Sequence, residues 1–320
     1  AEGGTDISGG LIRTSGAQLF QDTVTLTTDT EFNHGGSSTF ANGVDGTGKL
    51  TKSGAGTMFL PAVNAQTGNV EVQAGELNVA GSTAMASDVS LVSGTTLSGT
   101  GIVNGEVTST GGNVSPGDSP GQLQVGGVTL DAASTFTVEI DGTAPGTEHD
   151  QLIVTGDVDL GGATLVATAI ISPALGTQIV IIRNDGPNPV TGTFAGLTNG
   201  ADTTISGDAY RVFYTGGDGN DVVLIRSGVV PIVYVDDDWT AVTPGQDPDG
   251  VGPAMFFGID SFATIQDAVD GVDPTGDVMV HPGSYEEAVT IAQSLTLEGS
   301  SGVAGDVVIT HLLHRLGYLK

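Results

Sequence analysis

Nearly all of the side chains in this sequence that could do chemistry are carboxylates. Gly216 to Leu224, GGDGNDVVL, fits the nonapeptide G-G-x-G-x-D-x-U-x, whose Asp side chains and turn carbonyls hold Ca2+. In such arrays each ion sits between two successive copies. Only one copy is present, so Asp218 and Asp221 would supply half a cage, and the segment reads first as a turn joining two strands. A denser group is Asp236, Asp237, Asp238, Asp247 and Asp249, in a stretch from Arg226 to Arg315 with no intervening Lys or Arg. Acids in such a stretch are solvated, mutually repelling or metal-bound. Oxygen ligands alone favour Ca2+ over Zn2+. The spacing is not that of an EF-hand: twelve positions from Asp247 end at Gly258, not at a bidentate Glu, and Val251 takes the fifth place. No motif requires a cofactor, and Ca2+ is the one ion the residues suggest.

Other arrangements fall short of chemistry. GVDGTGKL, Gly43 to Leu50, is a phosphate-loop pattern with Leu50 where a Mg2+-binding Ser or Thr belongs, and the residues after it are strand-like. GDSPG, Gly117 to Gly121, fits G-x-S-x-G, but Pro120 removes a backbone N–H that an oxyanion hole uses. Both read as turns. His149 and Asp150 are adjacent with no nucleophile tied to them, and are expected on a surface turn. His34, His281, His311 and His314 lack metal spacing except for the last two, which lie in an unusual tail. Glu286 and Glu287 could form a glycosidase pair, but in a chain with 37 acids adjacent carboxylates arise readily by chance.

The elements that must carry these residues are strands. The 320 residues include 51 Gly and only 5% aromatics, so short β segments joined by tight turns are expected rather than packed helices. The net charge of −29 repels phosphate backbones, which excludes nucleic acid as a partner. Cys is absent, which removes disulfides and thiolate chemistry. No apolar run is long enough to span a bilayer. The chain opens on Ala1 without a signal-peptide pattern and is expected to be processed or excised from something longer. Apolar positions recur every twenty residues: Leu50 and Val70, Val72 and Val92, Leu77 and Leu97. That interval is about one coil of a parallel β-solenoid.

GTGKLTKSGAGTMFLPAVNAQTGNVEVQAGELNV, Gly46 to Val79, resembles the autotransporter-associated β-strand repeat. Gly46, Gly48, Leu50, Lys52, Gly54 and Gly56 stand in their expected places, as do Asn64, Gly68, Gly75 and Leu77. Pro61, Ala62 and Gln66 depart from the usual residues. The resemblance implies right-handed β-helical stalks of large bacterial surface or secreted proteins. NVSPGDSPGQLQVGGVTL and HDQLIVTGDVDLGGATLVA resemble the segment found after such repeats. Residues 1–125 are therefore expected to form a solenoid. Residues 126–226 would be a β-rich continuation or cap, with an antiparallel sandwich as one form, because STFTVEI and TLVATAII are longer and alternate cleanly.

Composition changes after RSGVVPIV, and 227–232 reads as a linker. Residues 233–310 resemble the opening of a pectin-lyase-like right-handed β-helix. A short capping helix is expected near 262–272, with Ser261 as N-cap and Phe262, Ile265, Val269 and Val272 on one face. Residues 311–320, HLLHRLGYLK, are basic and leucine-rich and read as an anomalous tail on an unfinished stack. The fold class expected is thus all-β, a right-handed parallel β-helix in segments. The function expected is a non-catalytic stalk or adhesin-like segment, exported to the cell surface, with surface polysaccharide or another surface protein as partner. Two alternatives stand: a carbohydrate-active or carbohydrate-binding β-helix whose working coils lie beyond Lys320, and a calcium-dependent adhesion module.

Overall fold

The computed structural model describes residues 4–81, 84–85, 87–228, 230–303, 305–310 and 313–314. The rest of the tail, with His311, lies outside the described residues. The chain winds as stacked coils. Nine strands, from Gly10–Thr14 to Gln178–Asn184, pair parallel in one long sheet, and a second sheet of eight strands runs from Gln18–Phe20 to Thr164–Ala169. Alternation sets the faces: in Thr30–His34 the Thr, Phe and His point inward and are buried, while Glu31 and Asn33 face out half-buried. Inward Val24, Leu26, Phe32, Leu50, Val70, Leu77 and Leu97 stack in one continuous core with no exposed surface. Each such burial stabilises by about 1.5–3 kcal/mol.

Pairing tests the twenty-residue interval directly. Leu50 pairs with Val70 and Leu77 with Leu97, but Val72 pairs with Leu91 rather than Val92. That coil is one residue shorter, which turns Val92 to the other face. Coils then lengthen: Gln122 pairs with Gln151 and Val128 with Val158, 29 and 30 residues apart.

STFTVEI and TLVATAII are not two layers of a sandwich, since Thr135–Ile140 and Thr164–Ala169 pair parallel, side by side in one sheet. The reason is that both lie at the same point of successive coils, 29 residues apart, and each turns one alternate face toward the same core. Among the described residues, antiparallel strand pairs enter only at the end of this unit. Asp221–Arg226 pairs antiparallel with both Gln178–Asn184 and Asp208–Gly216, and Asp202–Ile205 forms the edge.

Asp208–Gly216 and Asp221–Arg226 are covered on both faces. Tyr210, Val212, Tyr214, Val222 and Leu224 enter the first core, whereas Phe213, Val223 and Ile225 enter a second one with Val233, Val235, Ile265, Val269 and Val278. Ser227 and Pro231 are each bonded to a neighbouring strand: Ser227 N donates to Ala209 O (2.9 Å) and Asp277 N to Pro231 O (2.8 Å). Beyond it, Ile232–Val235, Asp277–Val280 and Thr296–Gly299 form parallel rungs. The helix spans Ile265–Gly271, and its N-cap is Thr264, whose hydroxyl accepts from Asp267 N, instead of Ser261. Ser261 is buried in a two-residue strand paired with Tyr234, so its hydroxyl cannot reach the first turn.

The motif glycines mark where one coil's backbone lies against the next. A Cβ on Gly54 would sit 2.0 Å from His34 O and 2.2 Å from His34 N, and one on Gly56 would sit 2.0 Å from Gly36 O. Gly94, by contrast, has open space around it but a φ of +79°. Gly54→Ala is expected to cost about 3 kcal/mol through overpacking against backbone, and Gly94→Ala about 1–2 kcal/mol through left-handed strain alone. Thermal midpoints of the two variants measure the difference, and equal losses would contradict the close-packed corner.

Candidate functional site

The opening nonapeptide is a hairpin turn. Gly216 pairs with Asp221, Gly219 N donates to Gly216 O (2.8 Å), and Gly217 and Gly219 have φ of +58° and +114°. Asp221 is buried, and its Oδ1 accepts from Asn184 N (2.8 Å) on the neighbouring strand; burial raises its pKa. Asp218 is exposed at the turn.

The acidic loop separates into two structures. Asp236 caps a short 3-10 helix, its Oδ1 accepting from Asp238 N (3.0 Å), and Asp237 Oδ2 accepts from Ser284 N (3.1 Å). Asp247 Oδ1 accepts from Gly250 N (2.7 Å) and Asp249 Oδ1 from Val251 N (2.9 Å), closing a turn of their own. Among the described residues no three His, Asp or Glu side chains converge with metal-site spacing. Glu287 also serves structure: its two oxygens accept from Ile265 N (2.7 Å) and Gln266 N (2.9 Å) at the helix N-terminus. Glu286 points to solvent.

His149 and Asp150 are not on a surface turn; both are buried, at 2% and 3% exposure. Residues 141–150 fold back on themselves, with Asp141 N donating to Glu148 O and Gly146 N to His149 O. The Asp150 carboxylate is thereby carried inward between two segments. Its Oδ1 accepts from Gly121 N and its Oδ2 from Glu139 N, both at 2.8 Å. It thus staples the GDSPG turn, where Ser119 has φ +65°, to the adjacent coil. Burial pushes its pKa up to about 6, against the pull of those two amides. His149 is pushed down by burial.

Lys52 of the repeat motif is fully buried, and its Nζ donates to Gly54 O and to Ala74 O (2.8 Å). Burial lowers its pKa to about 8. It neighbours His34, also buried and held down by burial and by Lys52, whose ring nitrogens lack hydrogen-bond partners and which packs with Phe20 and Phe32. In the phosphate-loop look-alike, Gly48 N donates to Leu26 O (3.0 Å), so that amide faces the preceding coil and not an anion.

Sequence reasoning missed a cleft of about 530 Å³ between the antiparallel strands and the second stack. Arg211 lines it: Nε donates to Asp202 Oδ1 (2.9 Å), Nη1 crosses to Gly258 O (2.8 Å), and the guanidinium carbon lies 5.9 Å from the Phe262 ring centre. Asp267, Asp270, Thr240 and Phe257 line the facing wall. The available signal was DVVLI, Asp221 to Ile225, a continuous apolar run after the Asp, characteristic of a strand covered on both faces.

No family profile matches the chain. Part of it is similar to the extracellular serine protease of Serratia marcescens, 37% identical over 102 residues, which is 32% of this chain and 10% of the relative. It is also similar to the Adhesin BmaC autotransporter of Brucella suis biovar 1 (strain 1330), 31% identical over 147 residues, 43% of this chain and 4% of the relative. The similarity therefore spans a small fraction of either relative's length. Among the described residues no helix is long and apolar enough to cross a membrane.

Two outcomes are expected from the buried carboxylates. Asp150→Asn offers one acceptor where two amides need them and is expected to cost about 1–3 kcal/mol. The native carboxyl, with its pKa raised from 3.8 to about 6, keeps its proton over a range where the unfolded chain has lost it. Stability from this group is therefore lost as pH rises through that window, so the advantage of wild type over Asp150→Asn should narrow from about pH 4 to about pH 6 in urea melts. A constant or widening gap would contradict the assignment. Asp221→Ala is expected to destabilise by about 1–3 kcal/mol while leaving calorimetric heats of Ca2+ addition unchanged. A saturable heat lost in that variant would make the turn a calcium site.

Proposed function

We propose that this chain is a non-catalytic stalk or adhesin-like segment of a secreted or cell-surface protein, a spacer made of stacked coils. The observation that carries the reading is the unbroken parallel ladder of nine strands, which at about 4.8 Å per rung extends the chain over ~40 Å along one axis. Such a stack resists bending because each coil shares backbone hydrogen bonds and buried aliphatics with both neighbours. Partial similarity to an autotransporter adhesin and to an extracellular protease supports export and a place at the cell surface. The reading needs no cofactor. Its partners would be surface polysaccharide or another surface protein. The pectin-lyase-like resemblance of 233–310 belongs to the same reading, as a second stack continuing the rod.

The side chains support a role without turnover. The carboxylates of the motifs hold backbone amides: Asp150, Asp221 and Glu287 each accept from main-chain N–H groups. Of the described Lys and Arg residues, Lys49, Arg183, Arg211 and Arg226 pair with acids, and Lys52 is spent on two carbonyls. None of these five is left to take a proton from a uronic acid, and the sixth, Arg13, is exposed on the strand Gly10–Thr14 and makes no ion pair among the described residues. Small-angle scattering of the chain is expected to show an elongated particle, and incubation with a polysaccharide panel to release no reducing ends or unsaturated products. A compact scattering profile or product release would refute the spacer.

A further inference from the structure

We propose that the cleft at the junction of the two stacks binds a neutral oligosaccharide. Both units contribute walls, and Arg211 ties them together across the cleft, so the site is preformed and little ordering is needed on binding. A neighbouring hollow of about 480 Å³ shares Asp202, Arg211, Asp270 and Gly271 with it, which makes one elongated cleft. Cavities of roughly 300–1,000 Å³ suit small organic ligands, and they form preferentially between units.

The chemistry of the lining selects the ligand. Arg211 is already neutralised by Asp202 and bonded to Gly258 O, so it offers no unpaired charge to an anion. With Asp202 matched to Arg211, Asp267 and Asp270 have no cationic partner among the described residues and give the cleft a negative field, which repels uronates, phosphates and other anionic glycans. A lone cation is poorly served too, since no three acids or histidines converge among the described residues. Sugar hydroxyls, which donate and accept at one atom, match the remaining groups. The Thr215 and Thr240 hydroxyls and the Asp267 carboxylate have no hydrogen-bond partner within the described residues, and Asn199, whose Oδ1 accepts from Tyr214 N, keeps its amide N–H groups free. Half-buried Phe257 offers an apolar surface to a ring face.

A groove elsewhere on the first stack makes the contrast. There Thr129 donates to Glu106, Asn188 to Asp157 and Thr155 to Val125 O, so most of the polar side chains are already engaged within the protein. The junction site adds to the spacer reading without depending on it, because scattering tests the rod and binding tests the cleft. The test is calorimetric titration of the full chain with neutral gluco-, xylo- and N-acetylglucosamine hexasaccharides, and with oligogalacturonate and CaCl2. Saturable binding of at least one neutral hexasaccharide is expected, weakened at least tenfold in both Thr240→Ala and Asp267→Ala, whose exposed side chains leave the fold intact by circular dichroism. Asp157→Ala in the other groove should bind as wild type does. No saturable binding of any neutral member, binding of oligogalacturonate or Ca2+ alone, or unchanged affinity in both cleft variants would overturn the proposal.

Discussion

Everything in this molecule depends on stacking one coil on the next in parallel register, with backbone hydrogen bonds running along the axis. The constraint is steric as well as polar. At the corners the main chains approach so closely that Gly54 and Gly56 leave no room for a Cβ, and the same device recurs at wider intervals where Gly126, Gly156 and Gly186 lie over one another. Stacking then places like on like: Phe20 over Phe40, Leu77 over Leu97, Gln122 beside Gln151. A local insertion is tolerated because it folds out between fixed rungs, as residues 141–148 do where coils lengthen, while His149 and Asp150 return to the interior.

Polar side chains are used to hold that stack where the ladder is interrupted. Asp150, Asp221, Glu287 and Asn64 each present an oxygen to a main-chain amide at a turn, a hairpin or a helix start. Lys52 does the reverse, giving its protons to two carbonyls from inside the coil. The acidic character of the chain is thus partly structural: a carboxylate accepts several amides without a partner cation, although burying it raises the proton affinity of Asp150 and Asp221.

Legibility in the sequence depends on range. Inward positions at a constant interval are visible along the chain, so Leu50 with Val70 and Leu77 with Leu97 were legible, and a coil one residue short was enough to misplace Val92. The helix face was legible from Ile265, Val269 and Val272, but its cap was not, because Ser261 and Thr264 are equally good caps until the strand pairing of Ser261 is known. The burial of His149 and Asp150 was hidden because the amides that Asp150 serves, Gly121 and Glu139, lie 29 and 11 residues away. The junction cleft was hidden for the same reason: it exists only once two stacks share a pair of strands, and the alternation of Phe213, Val223 and Ile225 against Val212, Val222 and Leu224 shows its meaning only when both cores are present.

The sequence has no cysteine, so engineered pairs report register without interference. Outward-facing partners on adjacent rungs, Glu71 with Ser90 and Thr137 with Val166, should each oxidise readily to a disulfide when replaced by Cys, because rung spacing of about 4.8 Å falls within disulfide reach. Cross-linking of these pairs, 19 and 29 residues apart, together with failure of Glu71 paired with Ser93, is the result that stacked coils require. Equal oxidation of the shifted pair, or none in either matched pair, would contradict the stacking itself.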